Sequence, residues 1–145
     1  MSLYKNKEGQ LMDIKDNQKD YWNKVAADKK FSTPFQIKLF SEVVSKEARI
    51  LDVGCGYGRI LNGLYFEGFK NIYGIDFSNN MIERGRAQFP YLNLKVQESS
   101  KIPYEDNSFD SIILFAVLTC IIEDLSQTQL LKEIKRVLSQ EAYCI

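Results

Sequence analysis

The chain has 145 residues, of which 45% are hydrophobic and 26% are charged, which is typical of one soluble globular domain with a real core. This composition excludes a disordered chain, and the length argues against a two-domain enzyme. Basic and acidic residues both number 19, so the formal net charge is zero and no long-range field favours a nucleic acid or an anionic membrane as partner.

Histidine is absent from the sequence. This excludes a histidine general base, a catalytic triad and a histidine-ligated metal on this chain. The three cysteines, Cys55, Cys120 and Cys144, are far apart, so the pattern predicts neither a disulfide framework nor a metal site. No uncharged apolar stretch is long enough to span a membrane, and the polar N-terminus lacks the apolar segment of a signal peptide. We therefore expect a cytoplasmic protein.

The first 45 residues are predicted to form a polar tail followed by two helices. Apolar residues recur at helical spacing from Gln18 to Lys30 and again from Pro34 to Ser45. Pro34 suits the first turn of the second helix. We expect a single domain over residues 1–145, in which residues 1–45 provide this tail and these helices and residues 46–145 form the core.

From residue 49 onward, short apolar strands alternate with amphipathic helices. Strands are predicted at 49–53, 71–76, 92–96 and 109–115, with one more beginning near 142. Helices are predicted at 59–67, 79–88 and 125–138. Ser78 is a candidate N-cap, and Ser126 and Gln129 have capping-box spacing. The alternation predicts an α/β fold with a mostly parallel sheet that is covered on both faces.

Ligands bind such sheets at the carboxyl ends of the strands, beside the point where the strand order reverses. Gly54, Gly56 and Gly58 follow the first core strand, where glycine lets the backbone turn sharply and approach a ligand closely. A dinucleotide fingerprint would require glycine where Arg59 stands, so a nucleotide-dependent oxidoreductase is the weaker enzyme alternative. Asp76 ends the next strand, where it could bind the hydroxyls of a ribose or simply face solvent before a helix cap.

Four segments, taken in order, resemble the class I S-adenosylmethionine-dependent methyltransferases. They are Ile50–Arg59, Tyr73–Ile82, Ile102–Asp110 and Glu133–Leu138. They are similar to the family's first motif, its second strand and following helix, the approach to its fourth strand and the helix before its fifth. The resemblance implies a Rossmann-like, doubly wound, mostly parallel sheet with helices on both faces. It also implies S-adenosylmethionine as cofactor.

The resemblance implies a set of cofactor-binding residues at the carboxyl ends of the strands. The set is Asp52, Gly54, Cys55, Gly56, Gly58, Asp76, Phe77, Met81, Glu98, Ser99 and Phe115. Asp52 is expected near the amino group of the cofactor, and the glycines under its methionine portion. Asp76 is expected at the ribose, with Phe77 and Met81 beside the adenine.

Two further pairs of residues have roles that the resemblance implies. Glu98 stands where the family most often has aspartate and is expected to meet the adenine amino group, while the backbone amide of Ser99 meets a ring nitrogen. Tyr21 and Trp22 lie on the first helix, where the family often places aromatic residues as a lid over the cofactor. The alternative for Trp22 is that it only anchors the helix to the sheet.

The resemblance implies no obligatory catalytic side chain and no metal. Thr119 and Cys120 stand where relatives often carry a histidine, and a base is needed only if the acceptor arrives protonated. The neutral net charge favours a small-molecule methyl acceptor, whereas a non-catalytic S-adenosylmethionine-binding or assembly module is the alternative. The resemblance also implies C-terminal strands of a seven-stranded sheet that this sequence does not contain. The sequence is therefore either a fragment of a longer enzyme or a short form whose last strand is an exposed edge, and such an edge favours a homodimer.

Overall fold

A computed structural model describes residues 3–5, 11–115, 117 and 124–144. The helices are α1 (Ile14–Val25), α2 (Ile37–Val43), α3 (Arg59–Phe66), α4 (Asn79–Gln88) and α5 (Asp124–Val137). The strands are β1 (Leu3–Lys5), β2 (Leu11–Asp13), β3 (Ile50–Val53), β4 (Ile72–Asp76), β5 (Asn93–Val96), β6 (Phe109–Ile113) and β7 (Leu138–Cys144). Strands β1 and β2 form an antiparallel pair of their own.

Strands β3 to β7 form one parallel sheet in the order β5-β4-β3-β6-β7. The chain builds outward from β3 through β4 to β5 and then crosses to the other side of β3 with β6. The strand order therefore reverses between β3 and β6, and the carboxyl ends of these strands flank the reversal point. This arrangement confirms the predicted doubly wound parallel sheet.

Two large apolar clusters, one on each face of the sheet, make up most of the core, and a small third cluster contains Ala26, Tyr57 and Met81. All four residues of β3 are buried, because neighbouring residues point to opposite faces and both faces are covered. Ile50 packs with Leu61 and Leu64 of α3 on one face. Leu51 belongs to the cluster on the other face, which α5 covers with Leu130, Ile134 and Val137. The prediction of helices on both faces is confirmed.

Several element boundaries differ from the predictions. Helix α5 begins at Asp124, so Ser126 lies inside its first turn and the predicted capping box does not start the helix. Leu138, predicted as the last residue of that helix, begins β7 instead, because it pairs with Phe109 of β6. Helix α1 begins at Ile14, before the predicted start at Gln18. Among the described residues, none of the helices has the length and apolar character needed to cross a lipid bilayer.

Candidate cofactor site

A cavity of about 330 Å³ opens where the strand order reverses. Its wall combines residues that follow β3, β4 and β6 with residues from α1 and from the segment after α1. The lining residues are Trp22, Lys29, Phe31, Thr33, Asp52, Gly54, Cys55, Gly56, Arg59, Ile60, Asp76, Met81, Phe115 and Val117. The cavity is therefore bounded by the sheet on one side and by the N-terminal part of the chain on the other.

A glycine turn after β3 forms the floor of the cavity. The amides of Gly54 and Cys55 both donate to the carbonyl of Ile75, at 2.9 and 3.0 Å, which ties the turn to β4. Gly54 has φ 72° and Gly56 has φ 58°, a backbone region that favours glycine. A Cβ at Gly54 would collide with the side chain of Val117. The absence of a Cβ therefore lets Val117 and Phe31 pack closely against the turn.

The carboxylate of Asp76 is held at the edge of this floor. Its Oδ2 accepts a hydrogen bond of 2.9 Å from the Gly56 amide, and its Oδ1 accepts one of 2.8 Å from the Ser78 amide. Burial raises the pKa of Asp76, and the two amide hydrogen bonds lower it in part. A carboxylate has about four lone-pair positions, so the side chain retains acceptor capacity for a ligand.

Asp52 is the most deeply buried charged group of the site, with only 1% of its surface exposed. Its Oδ2 has no hydrogen-bond partner within the part of the chain that the structure describes. Burial raises its pKa from 3.8 to about 8, the nearby Asp76 carboxylate contributes to the rise, and Arg59 opposes it. An unpaired buried carboxylate is costly, and a cationic ligand group in the cavity would remove that cost.

Aromatic rings form the roof of the cavity. Trp22 of α1 lies 5.9 Å from Phe31, whose ring stacks on Tyr57 at 5.7 Å between centroids. A Cβ at Gly56 would lie 3.3 Å from the Phe31 ring, so the roof and the glycine turn are in direct contact range. Tyr21 contacts Trp22 edge-on and is 44% exposed.

Polar side chains fasten this roof to α4. Asn23 of α1 accepts a hydrogen bond of 2.6 Å from the Ser78 hydroxyl and one of 3.2 Å from the Asn80 amide. Arg84 donates to the carbonyls of Ala26 and Lys29 at 2.8 and 2.7 Å. The Arg84 guanidinium also lies 3.8 Å from the centre of the Tyr57 ring. These contacts hold the end of α1 and the segment that follows it over the cavity.

The cavity brings together most of the residues predicted from the sequence. Those that line it are Trp22, Asp52, Gly54, Cys55, Gly56, Asp76, Met81 and Phe115. Burial raises the pKa of the Cys55 thiol well above its usual range, and the charges of Asp52 and Asp76 add to this, so Cys55 stays protonated and packs as a small apolar group.

The other predicted residues lie outside the cavity wall. Gly58 has φ 93° and faces the core side chains of Leu92 and Leu94. Phe77 is 44% exposed, and Glu98 and Ser99 are exposed beyond the end of β5. Tyr21 contacts the roof through the edge of the Trp22 ring. The predicted positions of Thr119 and Cys120 lie outside the described residues.

Six residues of the wall were not predicted as site residues from the sequence: Lys29, Phe31, Thr33, Arg59, Ile60 and Val117. Three of them lie at or near the junction of the two predicted N-terminal helices, where no periodicity signals that the chain folds back over the sheet. Arg59 could have been predicted as a wall residue, since it directly follows the glycine turn. Within the described residues, no group of three or more Cys, Asp or Glu side chains is arranged to hold a metal ion.

The strand order, the glycine turn and the two carboxylates beside it define the core of a class I methyltransferase. The chain belongs to the methyltransferase domain family, which matches residues 51–145. S-adenosylmethionine is the cofactor of this class, and two features of the cavity fit it. The first is Oδ2 of Asp52, which has no hydrogen-bond partner among the described residues and suits an ammonium group. The second is the glycine turn, where Gly54 and Gly56 line the cavity without a Cβ.

Individual relatives agree with this assignment. A demethylmenaquinone methyltransferase of Bacillus mycoides is 35% identical over 102 residues, which cover 65% of this chain and 41% of that protein. An eEF1A lysine and N-terminal methyltransferase of Mus musculus is 21% identical over 132 residues, 83% of this chain and 19% of that protein. The crystal structure of an S-adenosylmethionine-dependent methyltransferase of Methanosarcina mazei superposes with a TM-score of 0.71 at 25% identity, covering 78% of this chain and 57% of that chain.

The chain is thus similar to one part of longer proteins. It spans 41% of the length of the Bacillus mycoides relative and 57% of the Methanosarcina mazei structure. The family match begins at residue 51, in β3, and therefore includes the glycine turn and both carboxylates. The family comparison thus covers the part of the site that the glycine turn, Asp52 and Asp76 form.

Proposed function

We propose that this chain binds S-adenosylmethionine and transfers its methyl group to a small-molecule acceptor. The observation that carries the proposal is the buried Asp52 side chain, whose Oδ2 has no hydrogen-bond partner among the described residues, in a cavity floored by a glycine turn. A buried carboxylate without a partner costs folding free energy, and a cationic ligand group that pairs with it offsets that cost.

The residues of the floor suit the parts of this cofactor. Asp52 would accept hydrogen bonds from the ammonium group, and Asp76 would accept them from the ribose hydroxyls. Gly54 and Gly56 would let the ligand approach the backbone closely, and Met81 would pack beside the adenine. Phe77, Glu98 and Ser99 remain predicted contacts of the adenine.

When bound, the cofactor supplies a methyl group on a sulfonium, whose leaving group is already activated. The residues of this chain then have to align the acceptor and exclude water. The rings of Trp22 and Phe31 lie over the cavity, where they can shield it from solvent and present their faces to a cation. We assign no general base, because the carboxylates among the described lining residues are the two already used for binding.

A small-molecule acceptor is supported by the chemistry of the cavity and the chain. Phe31, Phe115 and Val117 make part of its wall apolar, which favours a compact acceptor over a flexible basic peptide. The formal net charge of zero gives no attraction to a polyanion. The relative named for demethylmenaquinone is consistent with a small acceptor, whereas the one named for eEF1A lysine is a protein methyltransferase.

Cofactor binding is tested by titrating the chain with S-adenosylhomocysteine. Trp22 is the only tryptophan and lies in the cavity wall, so its fluorescence reports binding directly. We expect Asp76→Asn to weaken binding by about 10-fold or more, because it removes a charged acceptor. The matched control is Asp110→Asn, since Asp110 also accepts from a backbone amide, that of Arg49, and lies outside the cavity wall. A folded wild-type chain that does not bind would contradict the proposal.

The acceptor class is tested with methyl-labelled S-adenosylmethionine and a cell extract separated by ultrafiltration. We expect the label to appear in the low-molecular-mass fraction. Label confined to the protein fraction would contradict the small-molecule acceptor. Cofactor binding with no transfer to either fraction would support the non-catalytic binding module instead.

A further inference from the structure

The cavity contains charges of both signs. Its anionic side chains are Asp52 and Asp76, and Lys29 and Arg59 are the cations among its described lining residues. Arg59 is the first residue of α3 and directly follows the glycine turn. It lies close enough to Asp52 for its charge to lower the pKa of that carboxyl.

Among the described residues, Arg59 donates one hydrogen bond, so most of its N–H donors have no partner there. Its Nη2 donates to the Thr33 carbonyl at 2.8 Å, which orients the guanidinium at the cavity wall. Within the described part of the chain it forms no ion pair with a carboxylate. A guanidinium has five N–H donors in a planar fork that matches a carboxylate. In the described structure, Arg59 is therefore oriented at the cavity wall by one bond to the backbone and retains donors for a ligand.

Among the described residues, Asp52 thus offers an acceptor without a partner and Arg59 offers donors without a partner, and the two line one cavity without forming an ion pair. This arrangement is complementary to an α-amino acid group, whose ammonium and carboxylate are bonded to the same carbon atom. We propose that Arg59 binds the α-carboxylate of the methionine portion of S-adenosylmethionine, while Asp52 binds the ammonium group. This inference rests on the proposed function, because it assigns a second contact to the same cofactor.

Two alternative roles fit the same contacts. Arg59 has a purely structural role if its bond to Thr33 only fixes the segment after α1 over the cavity. Lys29 is the rival for the carboxylate, since it lines the same cavity and carries the same charge. The test therefore has to distinguish loss of the carboxylate contact from loss of the roof, and Arg59 from Lys29.

The experiment compares two ligands that differ in one group. S-adenosylhomocysteine carries the α-carboxylate, and its decarboxylated analogue lacks only that group. Dissociation constants for both are measured by calorimetry with the wild-type chain, Arg59→Gln and Lys29→Gln, each shown to be folded by circular dichroism. Arg59→Lys is added because it keeps the charge and loses the planar fork.

We expect Arg59→Gln to weaken binding of S-adenosylhomocysteine by about 10- to 100-fold, the usual effect of losing a hydrogen bond to a charged group. Binding of the decarboxylated analogue should change by less than about 3-fold, since it has no carboxylate to lose. Arg59→Lys should fall between the wild type and Arg59→Gln. Lys29→Gln should not distinguish the two ligands.

Three results would overturn the assignment. Equal weakening of both ligands in Arg59→Gln would mean that Arg59 only holds the roof through Thr33. Unchanged binding of both would mean that Arg59 contacts neither ligand. A carboxylate-selective loss in Lys29→Gln would move the role to Lys29. A folded wild-type chain that binds neither ligand would instead reject the proposed function, and this inference with it.

Discussion

The floor and the roof of the cavity are built in different ways. The floor consists of backbone: the glycine turn bonds to Ile75, and its Gly56 amide holds Asp76. The roof is fastened by side chains, chiefly those of Asn23 and Arg84, and by contacts between rings. The floor is therefore fixed to the parallel sheet by backbone hydrogen bonds, whereas the roof depends on side-chain contacts that a substitution can remove. Changes in the floor should abolish binding, and changes in the roof should weaken it.

The largest effect is expected from Gly54→Ala. The new Cβ would collide with Val117, and alanine is strained at φ 72°. We expect the free energy of unfolding to fall by about 1–3 kcal/mol and binding of S-adenosylhomocysteine to be lost. Urea denaturation and calorimetry measure the two effects.

The control for this substitution is Gly68→Ala. Gly68 also has a left-handed φ, 103°, but it lies in the turn after α3, and its nearest neighbour to a new Cβ is Lys46 at 3.9 Å. It should lower stability by about 1 kcal/mol and leave binding unchanged. Loss of binding in this variant as well would mean that any strained glycine near the sheet disturbs the site.

Asp52→Asn should separate binding from stability. The folded-state pKa of Asp52 is raised from 3.8 to about 8, so the folded chain binds the proton more tightly than the unfolded chain. The stability of the wild type should therefore fall as pH rises from about 4 to about 8, and the variant should lack this contribution. We expect Asp52→Asn to be more stable than the wild type at pH 8 and to bind S-adenosylhomocysteine at least about 10-fold more weakly.

This prediction is checked by urea denaturation at several pH values together with a ligand titration. A variant with the same pH dependence of stability as the wild type would show that burial of the Asp52 carboxyl carries no electrostatic cost. A variant that keeps full affinity would remove Asp52 from the cofactor site. Either result would weaken the contrast between a floor that determines binding and a roof that only modulates it.

A smaller effect is expected from Arg84→Gln, which removes the bonds to Ala26 and Lys29. We expect binding of S-adenosylhomocysteine to weaken by about 3- to 10-fold, with faster proteolysis after α1 and a red shift of Trp22 emission. Arg86→Gln is the control, since Arg86 lies on the same helix but donates to Leu94 of β5. An equal loss of affinity in both variants would show that α4 as a whole, not its contact with the roof, supports binding.

The smallest effect is expected on the oligomeric state, through the edge strand β7. Among the described strands, β7 is paired on one side only, with β6. An open edge of this kind favours pairing with a second copy. We expect light scattering of the 145-residue chain to show a concentration-dependent dimer. A monodisperse monomer over the whole concentration range would contradict this.

The floor could be predicted from the sequence, and the roof could not. Asp52, the glycine turn and Asp76 lie at the ends of apolar strands, so their position depends on local backbone geometry and on the rule for parallel sheets. Phe31 and Thr33 reach the cavity only because the chain after α1 folds back over the sheet. No local pattern records that contact, since it depends on Asn23 and Arg84 meeting residues far along the chain.

The boundary between α5 and β7 could not be predicted from local sequence either. Leu138 fits the inner face of α5 by its spacing, yet it begins β7 because β6 offers it a partner in Phe109. Helical periodicity and strand pairing compete at such a position, and the pairing depends on the completed fold.

The Glu98 and Ser99 predictions came from the resemblance alone, and both side chains are exposed in the structure.

The contacts of the roof also determine when the site becomes complete as the chain folds. The bond between Gly56 and Asp76 joins residues 20 positions apart, whereas the Asn23 and Arg84 bonds join residues 55 and 58 positions apart. Contacts between distant residues cost more loop-closure entropy, so the β3-α3-β4 unit should form first and α1 should dock late. Local unfolding of the native state should follow the reverse order. The backbone amides of α1 should therefore exchange with solvent well before those of β3.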